Sequence, residues 1–239
     1  MQRPAALLAL ALAVLPAVTS ASCRQALALG LDVSGSVDSR EYRLQLDGLA
    51  RALESPRVAD RLLEMPDAPV ALAVYEWSGP DFQSVILPWT EITDASTLAG
   101  VATLLRNHPR AVAPPTTALG TAILTGYRLL EQRRDCWIRT LDISGDGKAN
   151  TGPRPQTLPD PPAGVTVNAL VIGVYGAEIG DLRQAEIKEL RSYFEANVIR
   201  GDGAFTESAL GFDAYAAAME RKLLRELKPM LLGQLTPRP

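Results

Sequence analysis

The sequence predicts a doubly wound α/β fold, with one mostly parallel sheet of about six strands flanked by helices in a single domain. Apolar runs of about eight residues, continuous enough to be buried on both faces, alternate with segments whose apolar residues recur at helical spacing. The 239 residues are enough for one such core. The sequence contains neither an internal repeat nor a second apolar core.

Six segments have the composition of strands. Three of them, the first, second and fifth, are nearly continuous apolar runs, which is typical of parallel strands inside a sheet. The third follows the second closely enough to be its hairpin partner, and the sixth follows a Gly-Asp-Gly turn. In chain order the predicted strands are Arg24–Leu31, Val70–Trp77, Gln83–Leu87, Cys136–Ser144, Val165–Val174 and Ala204–Glu207.

Five segments are predicted to be helices because their apolar residues recur every three or four positions. Asp94 is placed to cap the second of them, and Pro229 stops the last. The predicted helices are Asp38–Leu53, Asp94–Leu105, Thr117–Arg133, Leu182–Asn197 and Phe212–Leu227.

The connection between the fourth and fifth strands, residues 147–164, is unusual. A parallel crossover usually carries a helix, but this one contains five prolines. We expect an ordered, extended surface loop here.

The first 21 residues are predicted to be a secretory signal peptide. Arg3 provides a short positive region, and Ala5–Ala17 is an uncharged apolar run whose helix would be about 20 Å long, too short for a ~30 Å bilayer core. Small residues precede the expected cleavage after Ala21. Cleavage at this position would leave a domain of residues 22–239 in the periplasm or outside the cell. Lipidation of Cys23 is the minor alternative, because Ser20 stands where a lipobox requires Leu or a similar residue.

The composition excludes several classes of protein. The formal net charge of −3, without a basic cluster, argues against a nucleic-acid partner, and no segment has the length of a transmembrane helix. Two cysteines cannot form a Cys-based zinc site. A Ser-His-Asp triad could use only His108, a loop histidine before proline, which is more often plain surface.

Three polar segments are expected to meet at one edge of the sheet. Ligands of open α/β sheets bind beyond the carboxyl ends of the strands, where strand order reverses. Residues 32–36, Asp-Val-Ser-Gly-Ser, follow the first strand, and residues 144–147, Ser-Gly-Asp-Gly, end and follow the fourth. Residues 115–120 open the third helix. Carboxylates and hydroxyls together suit a hard cation, Mg²⁺ above all.

These segments resemble the von Willebrand factor A domain, a Rossmann-like fold, and its metal-ion-dependent adhesion site (MIDAS). Asp-x-Ser-x-Ser after an apolar strand, a Thr opening a helix and Asp-Gly after the fourth strand carry the resemblance, which covers nearly the whole mature chain. The chain also looks like a bacterial secreted branch of this fold whose function is undefined. It departs from the family in having Pro115-Thr116 where Gly-Gly is common, Ser-Gly-Asp-Gly for Thr-Asp-Gly, and the proline-rich crossover.

The resemblance implies a set of metal ligands and a function. The ligands carried over are Asp32, Ser34, Ser36, Thr117 and Asp146. They would bind one divalent cation, Mg²⁺ or else Mn²⁺ or Ca²⁺, and through it an acidic group of a protein or peptide partner. The site would thus bind rather than catalyse. Two alternatives stay open: a hydrolase or transferase using the same metal, and a structural domain with an empty site.

Four further residues are candidates for the surroundings or rim of this site. Thr116 is the alternative to Thr117, and Ser144 precedes the second acidic loop. Asp142 lies inside an apolar strand, where it is either paired with a neighbour or supports the site. Trp77 ends the second strand and is either a core residue or an anchor for a partner.

Cys23 and Cys136 are predicted to form a disulfide. In the resembling fold the first and fourth strands are adjacent and parallel, and the two cysteines lie nine and ten residues before Asp32 and Asp146. Neighbouring strands are ~4.8 Å apart, which is compatible with a bridge at the edge opposite the metal. An oxidising compartment would preserve it.

Overall fold

The computed structural model describes residues 23–173 and 181–227 of the chain. Its strands are β1 (Gln25–Asp32), β2 (Val70–Trp77), β3 (Gln83–Ile92), β4 (Ile138–Gly145), β5 (Val165–Ile172) and β6 (Thr206–Ala209). They form one sheet in the order β3-β2-β1-β4-β5-β6. All neighbouring strands are parallel except β3, which runs antiparallel to β2. The predicted doubly wound, mostly parallel sheet is confirmed.

Helices cover both faces of the sheet. They are α1 (Ser39–Leu53), α2 (Pro56–Leu63), α3 (Ala95–Asn107), α4 (Leu119–Glu131), α5 (Asp181–Asn197) and α6 (Tyr215–Glu226). One core cluster contains the buried side chains of α1, α2, α3 and α6, and the other contains those of α4 and α5. The sheet therefore has no solvent-facing side in its centre, which explains why its inner strands carry apolar residues on both faces.

The two faces of β1 differ in side-chain size, because successive strand residues point in opposite directions. Leu27, Leu29 and Leu31 pack in the first cluster, whereas Ala26 and Ala28 pack in the second. Gly30 lies on the small-residue face, where an added Cβ would stand 2.6 Å from the Tyr75 hydroxyl. That hydroxyl donates to the Ala122 carbonyl at 2.7 Å, so a tyrosine of β2 reaches α4 across the glycine.

The predicted capping of α3 by Asp94 is confirmed, and α1 also begins at a capping aspartate. The Asp38 carboxylate caps α1 by accepting from the Glu41 amide at 2.8 Å, and the Asp38 amide donates to the Glu41 carboxylate at 2.9 Å. Asp94 caps α3 in the same manner through the Thr97 amide. These caps satisfy amides that have no partner inside the helix.

Several boundaries differ from the sequence-based expectation. Helix α2 was not predicted, although Pro56 at its first position is a helix-start signal. Strand β3 runs on to Ile92 rather than ending at Leu87, since an edge strand tolerates a proline such as Pro88. Helix α4 begins at Leu119, two residues after the predicted start. The predicted signal peptide and Val174 lie outside the described residues.

The proline-rich crossover after β4 is an extended segment, as predicted, with one short 3-10 turn at Pro155–Thr157. It packs tightly on the start of α4. A Cβ on Gly120 would stand 2.0 Å from the Pro153 carbonyl oxygen, so only glycine fits there. The crossover is therefore held against the helix that follows the predicted Thr ligand.

Before the amino-terminal ends of β1 and β4, Cys23 and Cys136 are joined by a disulfide, with their Cα atoms 4.4 Å apart. Both cysteines are buried. The Trp137 amide donates to the Cys23 carbonyl at 2.9 Å, so the bridge continues the pairing of β1 with β4. Within residues 23–173 and 181–227, no helix has the length and apolar character needed to cross a membrane.

Candidate functional site

The reversal of strand order lies between β1 and β4. The chain leaves β1 towards β2 on one side and leaves β4 towards β5 on the other, which opens a crevice at their carboxyl ends. Asp32 is the last residue of β1, and Asp146 directly follows β4. The topology thus brings the two predicted carboxylate ligands to one place.

Asp32 is completely buried and held on both its backbone and its side chain. Its Oδ1 accepts from the Ser34 amide at 2.8 Å, which forms a tight turn directly after the strand. Its backbone carbonyl accepts from Gln45 Nε2 of α1 at 3.0 Å. The carboxylate is therefore fixed before any ligand arrives.

A chain of side-chain contacts joins the first motif to the second. The Ser34 and Ser36 hydroxyl oxygens are 3.3 Å apart. The Ser36 hydroxyl donates to Asp146 Oδ1 at 2.6 Å, across 110 residues of sequence. Ser34 and Asp146 are buried, whereas Ser36 is exposed, so the group opens to solvent on the serine side.

Thr117 lies in a third loop that contacts both of the others. The Gly35 amide donates to the Pro115 carbonyl at 3.1 Å, which joins this loop to the serine motif. The Thr117 amide donates to Asn150 Oδ1 at 2.8 Å, four residues beyond Asp146. Thr117 is buried and precedes α4, while its neighbour Thr116 is only half-buried.

The electrostatics of the site favour a cation. Burial and the neighbouring charge of Asp146 raise the pKa of Asp32 to about 7, and burial raises the pKa of Asp146. Asp32 Oδ2 and Asp146 Oδ2 are buried without a hydrogen-bond partner among the described residues. Two enclosed carboxylates with a free oxygen each, beside serine and threonine hydroxyls, form a donor set that fits a hard divalent cation.

Of the four additional candidates, Thr116 and Trp77 lie close to the loops of the site. The Thr116 hydroxyl points to Gly79, where an added Cβ would stand 3.0 Å away. Trp77 is fully buried, so it is a core residue and not a surface anchor for a partner. A Cβ on Gly145 would lie 3.6 Å from the Trp77 ring and 3.5 Å from Asp32 Oδ2, which places the ring beneath the acidic edge.

Asp142 and Ser144 lie deeper on β4, facing α6. Lys222 Nζ is 2.7 Å from Asp142 Oδ2 and 2.6 Å from Glu226 Oε1, and all three residues are fully buried. Burial raises the pKa of Asp142 to about 7, with Lys222 opposing the rise. The Ser144 hydroxyl is 3.4 Å from the Tyr215 hydroxyl. Asp142 and Ser144 therefore both contact residues of α6.

His108 lies outside this group. Its Nε2 is 3.9 Å from Oε1 of the buried Glu76, and the Tyr42 hydroxyl donates to the same carboxylate oxygen at 2.6 Å. The contacts described for His108 therefore link it to a carboxylate at the end of β2 and include no serine, so they do not form the triad considered from the sequence.

Comparisons with known proteins give the family and the fold of this chain. Residues 22–231 match the family described as "Protein of unknown function (DUF1194)".

The chain belongs to the DUF1194 family.

Solved structures give the DUF1194 chain a von Willebrand factor A fold. The pilus adhesin SpaC from Lactobacillus rhamnosus GG superposes with a TM-score of 0.56 at 12% identity, over 87% of this chain and 30% of that one. The von Willebrand factor type A protein from Catenulispora acidiphila gives 0.54 at 14% identity, over 86% and 43%. Proximal thread matrix protein 1 from the mussel byssus, in a form described with a zinc-occupied MIDAS motif, gives 0.56 at 14% identity, over 88% and 47%.

The DUF1194 chain thus spans less than half the length of these three structures. No curated protein matches its sequence. At such low identity the shared property is the fold alone.

Sequence reasoning missed one residue of the site, Asn150. It stands four positions after Asp146, inside the segment that was assigned as an extended surface loop. Its signal was weak, because an exposed asparagine in a loop normally marks a turn.

Proposed function

We propose that the protein is an interaction domain whose binding depends on a divalent cation. The cation would be held by Asp32, Ser34, Ser36, Thr117 and Asp146, with Mg²⁺ as the first choice and Mn²⁺ or Ca²⁺ as alternatives. The observation that carries the proposal is the pair of buried carboxylate oxygens, Asp32 Oδ2 and Asp146 Oδ2, which have no partner among the described residues. Leaving two such oxygens unpaired is costly unless a positive charge joins them.

A bound cation would supply a positive charge that attracts an anionic oxygen of another molecule. The protein's part is to hold the carboxylates and hydroxyls in place and to leave the Ser36 side open to solvent. The proposed partner is therefore an acidic group of a protein or peptide. The adhesin SpaC and the mussel matrix protein, as they are described, support binding as the role of this fold.

Binding is preferred to catalysis because the five groups include no histidine, cysteine or lysine. The three hydroxyls do not exchange protons with a substrate near neutral pH, and a bound cation would keep Asp32 and Asp146 ionised, because a nearby positive charge favours the carboxylate form. A hydrolase or transferase using the same cation is the alternative, and turnover that is lost in Asp32→Ala would establish it.

We also propose that the domain acts in the periplasm or outside the cell, after removal of residues 1–21. The disulfide supports an oxidising compartment. It also engages the Cys23 sulfur that lipid attachment would require, which favours cleavage after Ala21 over a lipoprotein. The family match begins at residue 22, next to that cleavage position.

The metal site is tested by calorimetric titration of the purified protein with Mg²⁺. Wild type should bind one ion, and Asp32→Ala and Asp146→Ala should each abolish binding while the protein stays folded. Asp202→Ala is the matched control, because it removes the same charge from an exposed turn that precedes β6. Unchanged affinity in both site variants would refute the ligand set, and no uptake by wild type would support the structural domain with an empty site.

The interaction is tested by capture of envelope proteins on immobilised wild type, with Mg²⁺ or with EDTA. A partner that is retained only with Mg²⁺, and lost in Asp146→Ala, supports the proposal. A partner retained equally in EDTA would show that binding does not use the cation.

A further inference from the structure

Asn150 connects two of the three loops of the site. Its Oδ1 accepts from the Thr117 amide at 2.8 Å, and its backbone amide donates to the Thr117 carbonyl at 3.1 Å. Its Nδ2 lies 3.5 Å from the Thr117 hydroxyl oxygen. An exposed loop residue thus contacts the amide, the carbonyl and the hydroxyl of one buried threonine.

The orientation of the Asn150 side chain follows from hydrogen-bond chemistry. The Thr117 amide is a donor, so the atom that faces it must be the acceptor Oδ1. Nδ2 is then the atom on the hydroxyl side. A threonine hydroxyl oxygen has two acceptor positions, so a donor from Asn150 leaves the other free for a cation.

Thr117 needs this support because its own helix does not provide it. Helix α4 begins two residues later, with Ala118 as an N-cap that has no side-chain oxygen. The Ala118 amide donates instead to the Ser78 carbonyl at 2.7 Å, and the Thr117 amide donates to Asn150. Without the Ser78 carbonyl and Asn150 Oδ1 as acceptors, the Ala118 and Thr117 amides would have no hydrogen-bond partner. The Thr117 side chain would then be free to turn away from the other residues of the site.

Asn150 is itself held on both sides along the chain. The preceding Ala149 amide donates to the Tyr193 hydroxyl of α5 at 3.3 Å. Three residues after Asn150, Pro153 packs against Gly120 of α4. The proline-rich crossover therefore holds Asn150 between α5 and α4, next to the loop of Asp146.

We infer that Asn150 is a positioning residue, whose contacts with the Thr117 loop orient the Thr117 hydroxyl towards the cation. This inference rests on the proposed metal site. It assigns to the crossover a direct part in that site, because removal of the Asn150 side chain would release the hydroxyl without removing any ligand.

The test compares wild type with Asn150→Ala in two measurements. The first is hydrogen exchange of the Thr117 amide in metal-free protein, which should become faster in the variant because its acceptor is gone. The second is titration with Mn²⁺ alone, followed by electron paramagnetic resonance, in which affinity should fall about tenfold, as typical for loss of an outer partner of a metal ligand. The variant keeps the backbone contact between Asn150 and Thr117, so we expect it to fold.

Asn197→Ala is the matched control. Asn197 likewise makes one side-chain hydrogen bond with a backbone atom, in this case by donating to the Tyr193 carbonyl, but it ends α5. It should leave both measurements unchanged. Introducing Asn150→Ala into Thr117→Val, which lacks the hydroxyl, should cost no further Mn²⁺ affinity, since the asparagine acts through that hydroxyl.

The outcomes separate the inference from the proposed function. If wild type binds no Mn²⁺ or Mg²⁺, the metal site itself is wrong. If wild type binds and Asn150→Ala binds equally well, or leaves Thr117 exchange unchanged, the positioning role is wrong. A tenfold loss that persists in the Thr117→Val background would show that Asn150 acts on another part of the site and would also overturn the inference.

Discussion

Removal of the disulfide should lower stability and leave metal binding intact. We consider the variant Cys23→Ala/Cys136→Ala, in which neither side chain introduces a new polar group. The bridge joins residues 113 positions apart, and the loop-entropy relation gives about 4.8 kcal/mol for a loop of this length. Loss of two buried sulfur atoms adds to the destabilisation. Because residual structure in the unfolded chain reduces the entropic contribution, we expect the free energy of unfolding to fall by about 3–5 kcal/mol in total.

The metal affinity should not change, because the disulfide and the proposed metal ligands lie at opposite ends of the strands. Cys23 lies nine residues before Asp32, and nine residues of strand extend about 30 Å. Strands β1 and β4 remain paired along their length through backbone hydrogen bonds, so the acidic edge keeps its geometry without the bridge.

The assay is urea unfolding of wild type and variant, each with and without a reducing agent, together with Mg²⁺ titration. Wild type should lose stability with the reducing agent, whereas the variant should be insensitive to it. A loss below about 1 kcal/mol would refute the loop-entropy reasoning. A fall of more than tenfold in Mg²⁺ affinity would refute the independence of the two edges.

Three further predictions concern the core and the site. Gly120→Ala should lower the free energy of unfolding in urea by about 1–3 kcal/mol, because its Cβ would meet the Pro153 carbonyl. Gly100→Ala is the control, because Gly100 has open space around it, and this variant should raise the free energy of unfolding by about 0.5–1 kcal/mol. Equal effects of the two substitutions would contradict the prediction. Asp142 has a pKa of about 7 in the folded protein, against about 3.9 in an unfolded chain. Between these values the folded state binds one proton more than the unfolded state, so the free energy of unfolding should fall as pH rises from about 4 to 7. Asp142→Asn, which leaves Lys222 with one acidic partner, should flatten that decline, and an unchanged pH profile would contradict the assignment. Mg²⁺ at about one hundred times its Kd should raise the free energy of unfolding by about 2.7 kcal/mol, and an unchanged Tm in Mg²⁺ would argue against the site.

The strands and their order of appearance were readable from local patterns. Val70–Trp77 is apolar at nearly every position, and the structure places the strand at those residues. Helix starts were predictable where a capping side chain is local, as at Asp38 and Asp94. Helix α2 was missed because its eight residues provide too few turns for a helical period to stand out.

The fold class and the residues that reach the acidic edge follow from the amino-acid sequence alone. Once β1 and β4 are parallel neighbours, Asp32 and Asp146 must end at the same edge, because parallel strands share their carboxyl ends. The same argument brings Cys23 beside Cys136 at the other edge.

The partners that support these residues depend on long-range packing and become visible in the folded structure. Asp142 pairs with Lys222 eighty positions later, and Asn150 pairs with Thr117 thirty-three positions earlier. Neither pairing has a local signature, because it depends on how α6 and the proline-rich crossover pack against the sheet. Local patterns report which residues are buried, whereas the partner of a buried polar group is set by whichever distant segment packing brings within hydrogen-bond distance.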